Sequence, residues 1–175
     1  MQISTSGYIM FGSGLQSSWP ALYSITDPSI APYWMNWDGC SISYVQLTAE
    51  NYYYYSGGYE LFYKVKNILG NYGISFVFLI QWADCAPFPK AQYTSQSATF
   101  QLTLASDGRN SYAIINYPYG KSKISEFSFF PMQVGYFDGS TRAIYISKNW
   151  QGKNMGNLEN RYNLDLIRGI GGIYN

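Results

Sequence analysis

Apolar and polar residues alternate on both sides of an Asp-Gly pair in residues 100–117, FQLTLASDGRNSYAIINY. Asp107-Gly108 tolerates the positive φ angles of a two-residue type I′ loop, so the stretch predicts a β-hairpin. Such a loop sets Leu104 opposite Ser111, Leu102 opposite Ala113 and Phe100 opposite Ile115, which makes one face mostly apolar. Thr103 with Tyr112 and Thr99 with Asn116 occupy the other face. Two strands that agree on which side is core point to antiparallel sheet.

The same alternation recurs along the chain. Residues 1–5 and 8–11 flank Ser6-Gly7 and predict a second tight hairpin. Because this pattern begins almost at the first residue, an upstream segment is expected to have been cut away. Residues 20–32 are turn-rich, and strands are expected at 33–37 and 41–47 around the Asp38-Gly39 turn. From Gly58 the period changes: Leu61, Phe62, Val65, Ile68 and Leu69 recur at intervals of three and four. Ser56 is placed as N-cap, Glu60 lies in the first turn and Gly70 just past the end, which predicts a helix over 58–69. Residues 74–82, ISFVFLIQW, are apolar at nearly every position, as in a central strand buried on both faces. Further strands are expected at 123–130, 132–137, 142–147 and 161–166. About ten strands and one helix result. The predicted class is α+β and mostly β, with antiparallel-rich sheets in a sandwich and one covering helix.

At 175 residues the chain has the length of one domain, able to bury roughly 70% of the surface its unfolded form exposes. Charged residues make up 12%, about half the usual share, while aromatic residues reach 19%, with 19 tyrosines and 10 phenylalanines. The surface is therefore polar without being ionic. A net charge of +1 without a Lys/Arg cluster excludes the electrostatic footprint of a nucleic-acid or membrane-surface binder. No apolar run approaches the ~20 residues that span a bilayer. The N-terminus lacks the basic and apolar regions of a signal peptide, so any export signal is expected outside this sequence.

The absence of histidine removes Ser-His-Asp and Cys-His catalytic sets and imidazole zinc sites. Two cysteines alone cannot close a structural zinc site, no Gly-rich loop opens a helix to cradle phosphate, and the acidic residues are too scattered for a calcium loop. No catalytic residue, cofactor or metal is expected, and the chain is read as not an enzyme. The remote enzymatic alternative is a glycosidase using Asp38 and Asp84, each one or two positions after a Trp, because paired carboxylates beside aromatic sugar platforms are what that chemistry needs. Asp after a strand is more often a turn former. Tyr52, Tyr53, Tyr54 and Tyr55 cannot all face a core in any regular conformation, so at least two of these rings are expected at the surface as a protein-contact patch. Tyrosine also stacks on sugars, which keeps a carbohydrate-binding module as the alternative. No Asn-x-Ser/Thr sequon occurs, so N-glycosylation is not expected.

In order along the chain stand SGYIMFG (6–12), IAPYWMNWDG (30–39), ISYVQLTAE (42–50), the helix, FVFLIQW (76–82), TFQLTLASDGRNSYAIINY (99–117) and QVGYFDG (133–139). This succession resembles the extracellular NIDO domain found in nidogen, alpha-tectorin and mucin-4. The resemblance places the domain at 1–166, with 167–175 a tail or linker; the family's last strand usually follows a Gly-Arg pair, whereas here Asn160 precedes Arg161. It implies a non-catalytic interaction or structural module of a larger secreted or cell-surface protein, acting in adhesion or matrix assembly. Its expected partners are other extracellular proteins, neighbouring domains of the same chain, or glycans.

Many relatives lack the two cysteines, so Cys40 and Cys85 need a separate argument. A domain of secreted type favours a disulfide. Parallel strands joined by a crossover would hold the two ends about 30 Å apart at ~3.3 Å per residue, beyond the ~7 Å limit on Cα separation. An antiparallel pair would bring them together, and two buried free thiols are the other outcome.

Overall fold

Strand β5 (Phe76–Cys85) pairs antiparallel with β4 (Ser41–Thr48) on one side and β6 (Ala98–Ser106) on the other, the central place its unbroken apolar run predicts. The computed structural model describes residues 1–14, 27–92, 95–118, 121, 132–139 and 143–149. Among these, β4, β5, β6 and β7 (Ser111–Asn116) form a four-stranded sheet in that order. A five-stranded sheet runs in the order β1 (Gln2–Ser4), β2 (Tyr8–Met10), β3 (Ser29–Trp34), β8 (Met132–Phe137) and β9 (Ala143–Asn149). All these pairings are antiparallel. Helix α1 (Gly58–Leu69) occupies its predicted span, and the mostly-β α+β class is as expected. The strands predicted at 123–130 and 161–166, and the tail 167–175, lie outside the described residues.

Alternation gives the four-stranded sheet two buried faces. Phe78, Ile80, Trp82, Phe100 and Leu102 face the second sheet, where they meet Ile9, Tyr33, Met35 and Val134. Val45, Leu47, Val77, Leu79, Ala105 and Ile114 face outwards under Leu61, Phe62 and Val65 of α1. Ile68, at the margin of the predicted stripe, is 39% exposed. Ser56 is not the N-cap. Gly57 takes that position without a side-chain bond, because the preceding turn supplies a carbonyl: Gly58 N–H donates to Tyr55 O at 2.9 Å. Gly70 ends the helix as predicted, its N–H donating to the Asn67 carbonyl.

In the five-stranded sheet, β3 begins at Ser29, inside the stretch expected to be connection. Pro28 and Pro32 had masked it, since proline cannot donate to a ladder. The register against β8 shifts between Ala31 and Trp34, so Pro32 sits in a bulge, where its missing N–H is tolerated. The extra residue turns Ile30 and Tyr33 towards the sandwich interior and Ala31 and Trp34 onto the opposite face, with Tyr8, Met10 and Phe137. The predicted β1–β2 hairpin is present, closed by Thr5, Ser6 and Gly7. Gly7 has φ 84, and a Cβ there would run into the Tyr33 carbonyl and the Phe100 ring. Only glycine lets this loop press against β3, where Tyr33 N–H donates to Gly7 O and Met35 N–H to Ser6 O.

The β6–β7 hairpin forms with a different register. Leu104 faces Ala113, Leu102 faces Ile115, Gln101 faces Asn116 and Thr103 faces Ile114, with Ser106–Ser111 the last pair. The loop is therefore Asp107 to Asn110 rather than Asp107-Gly108 alone. The Asp107 carboxylate causes this, accepting the backbone N–H groups of Asn110 at 2.7 Å and Arg109 at 2.9 Å, a side-chain alternative to a two-residue turn. A shift of two leaves every side chain on its predicted face. Asn71, just past α1, donates to Asp107 at 2.7 Å and to the Tyr112 hydroxyl at 3.1 Å, tying the hairpin tip to the helix end.

Cys40 and Cys85 form a disulfide, with Cα atoms 4.2 Å apart. The antiparallel pairing of β4 with β5 places Cys40 before the first strand and Cys85 at the end of the second, which excludes the parallel crossover. Replacing both cysteines by serine is expected to lower stability by about 4 kcal/mol, the chain-entropy value for a loop of this length, measured by urea denaturation of the oxidised wild type and the variant. A second expectation concerns pH. The hydrogen bonds from Asn110 and Arg109 hold the Asp107 carboxyl well below the usual carboxylate range. The unfolded chain then takes up the proton more readily, so the contribution is complete above the unfolded value of about 3.9 and is lost as pH falls below it. Asp107→Ala should be less stable than wild type at neutral pH, and the gap in melting temperature should close as the buffer is taken from pH 6 towards pH 2.

Candidate functional site

The four consecutive tyrosines follow β4 directly, and Tyr52–Tyr54 form a single 3-10 turn before α1. The turn is fixed by backbone and Asn side-chain bonds. Asn51 Oδ1 accepts Thr48 N–H at 2.7 Å, and Tyr54 N–H donates to Asn51 O at 3.0 Å. A Cβ at Gly58 would meet the Tyr52 carbonyl, so glycine at the helix start lets the turn fold back on α1. Three residues per turn send successive side chains in different directions. Tyr52 turns inward and stacks on Phe62, with ring centroids 4.9 Å apart. Tyr53, Tyr54 and Tyr55 remain exposed, Tyr54 at 75%.

The exposed rings brace one another. Tyr53 and Tyr54 have centroids 4.2 Å apart, and the Tyr53 hydroxyl donates to that of Tyr54 at 3.1 Å. Tyr59 and Tyr63, one helical turn apart, have centroids 4.4 Å apart, and both also lie within ring contact of Tyr52. The Lys66 ammonium sits 4.8 Å above the Phe62 ring and 5.6 Å above Tyr63. The Tyr54 contact raises the Tyr53 pKa above its ordinary value, and Tyr63 does the same for Tyr59. Both start from about 10, so these hydroxyls stay neutral, able to donate and accept, throughout the physiological range.

Sequence reasoning missed Tyr59 and Tyr63. Their signal was present: both fall on the side of the helix away from Leu61, Phe62 and Val65, with the i, i+4 spacing that makes helical neighbours. The four-residue run supplied half of the patch, and the helix supplies the rest.

The other candidates are arranged differently. The Asp38 carboxylate accepts the backbone N–H of Lys90 at 2.9 Å, tying its own turn to a distant loop. Asp84 is exposed with φ 51, beside the register shift between Trp82 and Cys85. The two indoles that were to serve as sugar platforms are buried. Trp37 Nε1 donates to Tyr33 O at 3.1 Å, Trp82 Nε1 donates to Ser4 O at 2.8 Å, and both rings stack with Phe100. An apolar groove opens between the sheets, with one lobe of about 340 Å³ bordered by Ile115 and Tyr136 and another of about 360 Å³ bordered by Phe76 and Leu104. Phe11, Ile30 and Ala113 line both lobes, and among the described residues neither lobe has an ionisable acid, amine or thiol on its walls.

The sequence model of the nidogen-like domain (NIDO) matches residues 1–174. The chain belongs to the NIDO family. No curated protein and no solved structure matches it significantly. NIDO domains occur in extracellular proteins, and the Cys40–Cys85 bond fits that setting.

Within this NIDO domain the tyrosine cluster divides into one anchoring ring and several presented ones. Tyr52→Ala is expected to cost about 2 kcal/mol, through loss of the Phe62 stack and the area beneath it. Tyr54→Ala should stay within about 0.5 kcal/mol of wild type. Urea denaturation of the two variants checks the division.

Proposed function

We propose that this NIDO domain is a non-catalytic interaction module of a larger extracellular protein, acting in cell adhesion or matrix assembly and making contact through Tyr53, Tyr54, Tyr55 and Tyr59. The observation that carries the reading is the braced, exposed ring cluster on a backbone fixed by Asn51 and α1. Rings held in place before binding give large contact area with little further loss of conformational entropy, and neutral hydroxyls supply polar contacts. Its partners are other extracellular proteins or neighbouring domains of the parent chain.

The packing of the rings favours protein over sugar. A carbohydrate-binding face offers separated platforms along a sheet, whereas these rings tilt against one another at centroid distances of 4.2–6.4 Å around a helix start. A catalytic reading has less support, because the buried indoles leave Asp38 and Asp84 without platforms.

Cells seeded on surfaces coated with the domain test the proposal. Tyr53→Ser combined with Tyr54→Ser should reduce adhesion about tenfold, the effect of losing a hot-spot ring, at unchanged melting temperature. Undiminished adhesion, or adhesion abolished by free glycans together with binding on a glycan array, would sink it.

A further inference from the structure

A phenol that loses an electron and a proton becomes a phenoxyl radical, and two such rings join when they meet. A second tyrosine already held beside the first acts at an effective concentration far above that of any separate chain. Tyr53 and Tyr54 have ring centroids 4.2 Å apart, and the Tyr53 hydroxyl donates to that of Tyr54 at 3.1 Å. The rings therefore meet at their hydroxyl ends, which brings near one another the carbons beside each oxygen, where the unpaired electron is concentrated. Both are open to an oxidant, Tyr53 being 59% and Tyr54 75% exposed. Tyr52 adjoins Tyr53 at 5.7 Å, Tyr59 at 5.9 Å and Tyr63 at 6.4 Å, so a radical formed on any of these rings can pass along the cluster. Exposure alone does not make such a site. Tyr44 is 63% exposed, but the ring tilted against it is Phe78, which has no hydroxyl to oxidise. A free thiol would reduce the radical before it coupled, and both cysteines of the chain are held in the Cys40–Cys85 bond.

We propose that Tyr53 and Tyr54 form a site of oxidative coupling, at which peroxidase-activated hydrogen peroxide joins the two rings as dityrosine within one chain. Each ring gives up one electron and the proton of its hydroxyl, and the radicals form a carbon–carbon bond between the positions beside the oxygens. The hydrogen on each joined carbon then moves through water to the oxygen, restoring both phenols. In all, two electrons and two protons pass to hydrogen peroxide, which leaves as two waters. The bond fixes two of the presented rings to each other. It rests on their geometry and not on the adhesive role proposed above, and none of its readouts depends on adhesion.

Dilute full-length chain treated with a haem peroxidase and limiting hydrogen peroxide is expected to show dityrosine fluorescence in the monomer, with a yield per chain that further dilution leaves unchanged. Cleavage after Glu50 and Glu60 releases residues 51–60. This peptide should be two hydrogen atoms lighter than from untreated chain, with the bond placed by fragmentation between Tyr53 and Tyr54. Tyr54→Phe keeps the ring and should lose that product at unchanged melting temperature, whereas Tyr44→Phe should retain it. Fluorescence confined to covalent dimers overturns the proposal, as does a bond in the monomer that omits Tyr53 or Tyr54, or survival of the product in Tyr54→Phe. So does an equal yield from a synthetic peptide of residues 50–60, in which only adjacency in sequence remains, or a folded chain left uncoupled while free tyrosine couples in the same mixture.

Discussion

Rings from separate stretches of chain close on Phe100 where the two sheets meet. Trp82 of β5 stacks on it at 5.3 Å, Trp37 of the β3–β4 connection at 5.9 Å, and Tyr33 of β3 meets it edge-on at 5.4 Å. A Cβ at Gly7 of the first hairpin would run into the far end of Phe100, so glycine there leaves the ring its space. A stacked or edge-on pair contributes about 0.5–1.5 kcal/mol beyond the area it buries. The two indoles and the nearby Tyr117 also carry polar handles, which fix their orientation. Trp82 donates to Ser4 O, Trp37 to Tyr33 O, and Tyr117 to the carbonyl of Pro32 in the β3 bulge. Each bond runs to a backbone carbonyl of β1 or β3 and satisfies a donor that burial would otherwise leave at a cost. The five-stranded sheet is thus located on the four-stranded one by directional contacts, and hydrophobic area supplies the bulk of the attraction.

That arrangement explains what the sequence could and could not disclose. Local periodicity carried α1, β5, both hairpins and the sandwich class, because each depends on which face of a short segment is apolar. The hairpin register depended on the Asp107 carboxylate reaching Asn110, a side-chain choice that alternation does not encode. The strand hidden under Pro28 and Pro32 is stabilised by β8, about a hundred residues away, and by the Tyr117 hydroxyl on Pro32. Local propensity yields to tertiary pairing there. The cysteines were undecided because proximity required knowing whether β4 and β5 run antiparallel. Of the tyrosine site, the run 52–55 was legible from crowding alone, since no regular backbone can bury four consecutive rings. The i, i+4 spacing of Tyr59 and Tyr63 was legible as well, but their joining the run was not, because that depends on Tyr52 folding back onto Phe62.

The low charge of the chain shapes how such a surface can work. Charged rims steer partners together and set long-range selectivity. A domain with 12% charged residues and a net charge of +1 has little of that field, so on the proposed reading recognition would reside in shape, ring contact and hydroxyl hydrogen bonds at short range. Flexible rings would lose much of their binding energy to ordering, and the bracing of Tyr53 on Tyr54 and of Tyr59 on Tyr63 reduces that loss before a partner arrives. An aromatic, nearly neutral surface favours attachment that builds up from many modest contacts, each slow to find and independent of salt. Such contacts gain most when domains are held close to their partners by the chain or matrix around them, where effective concentration replaces electrostatic steering.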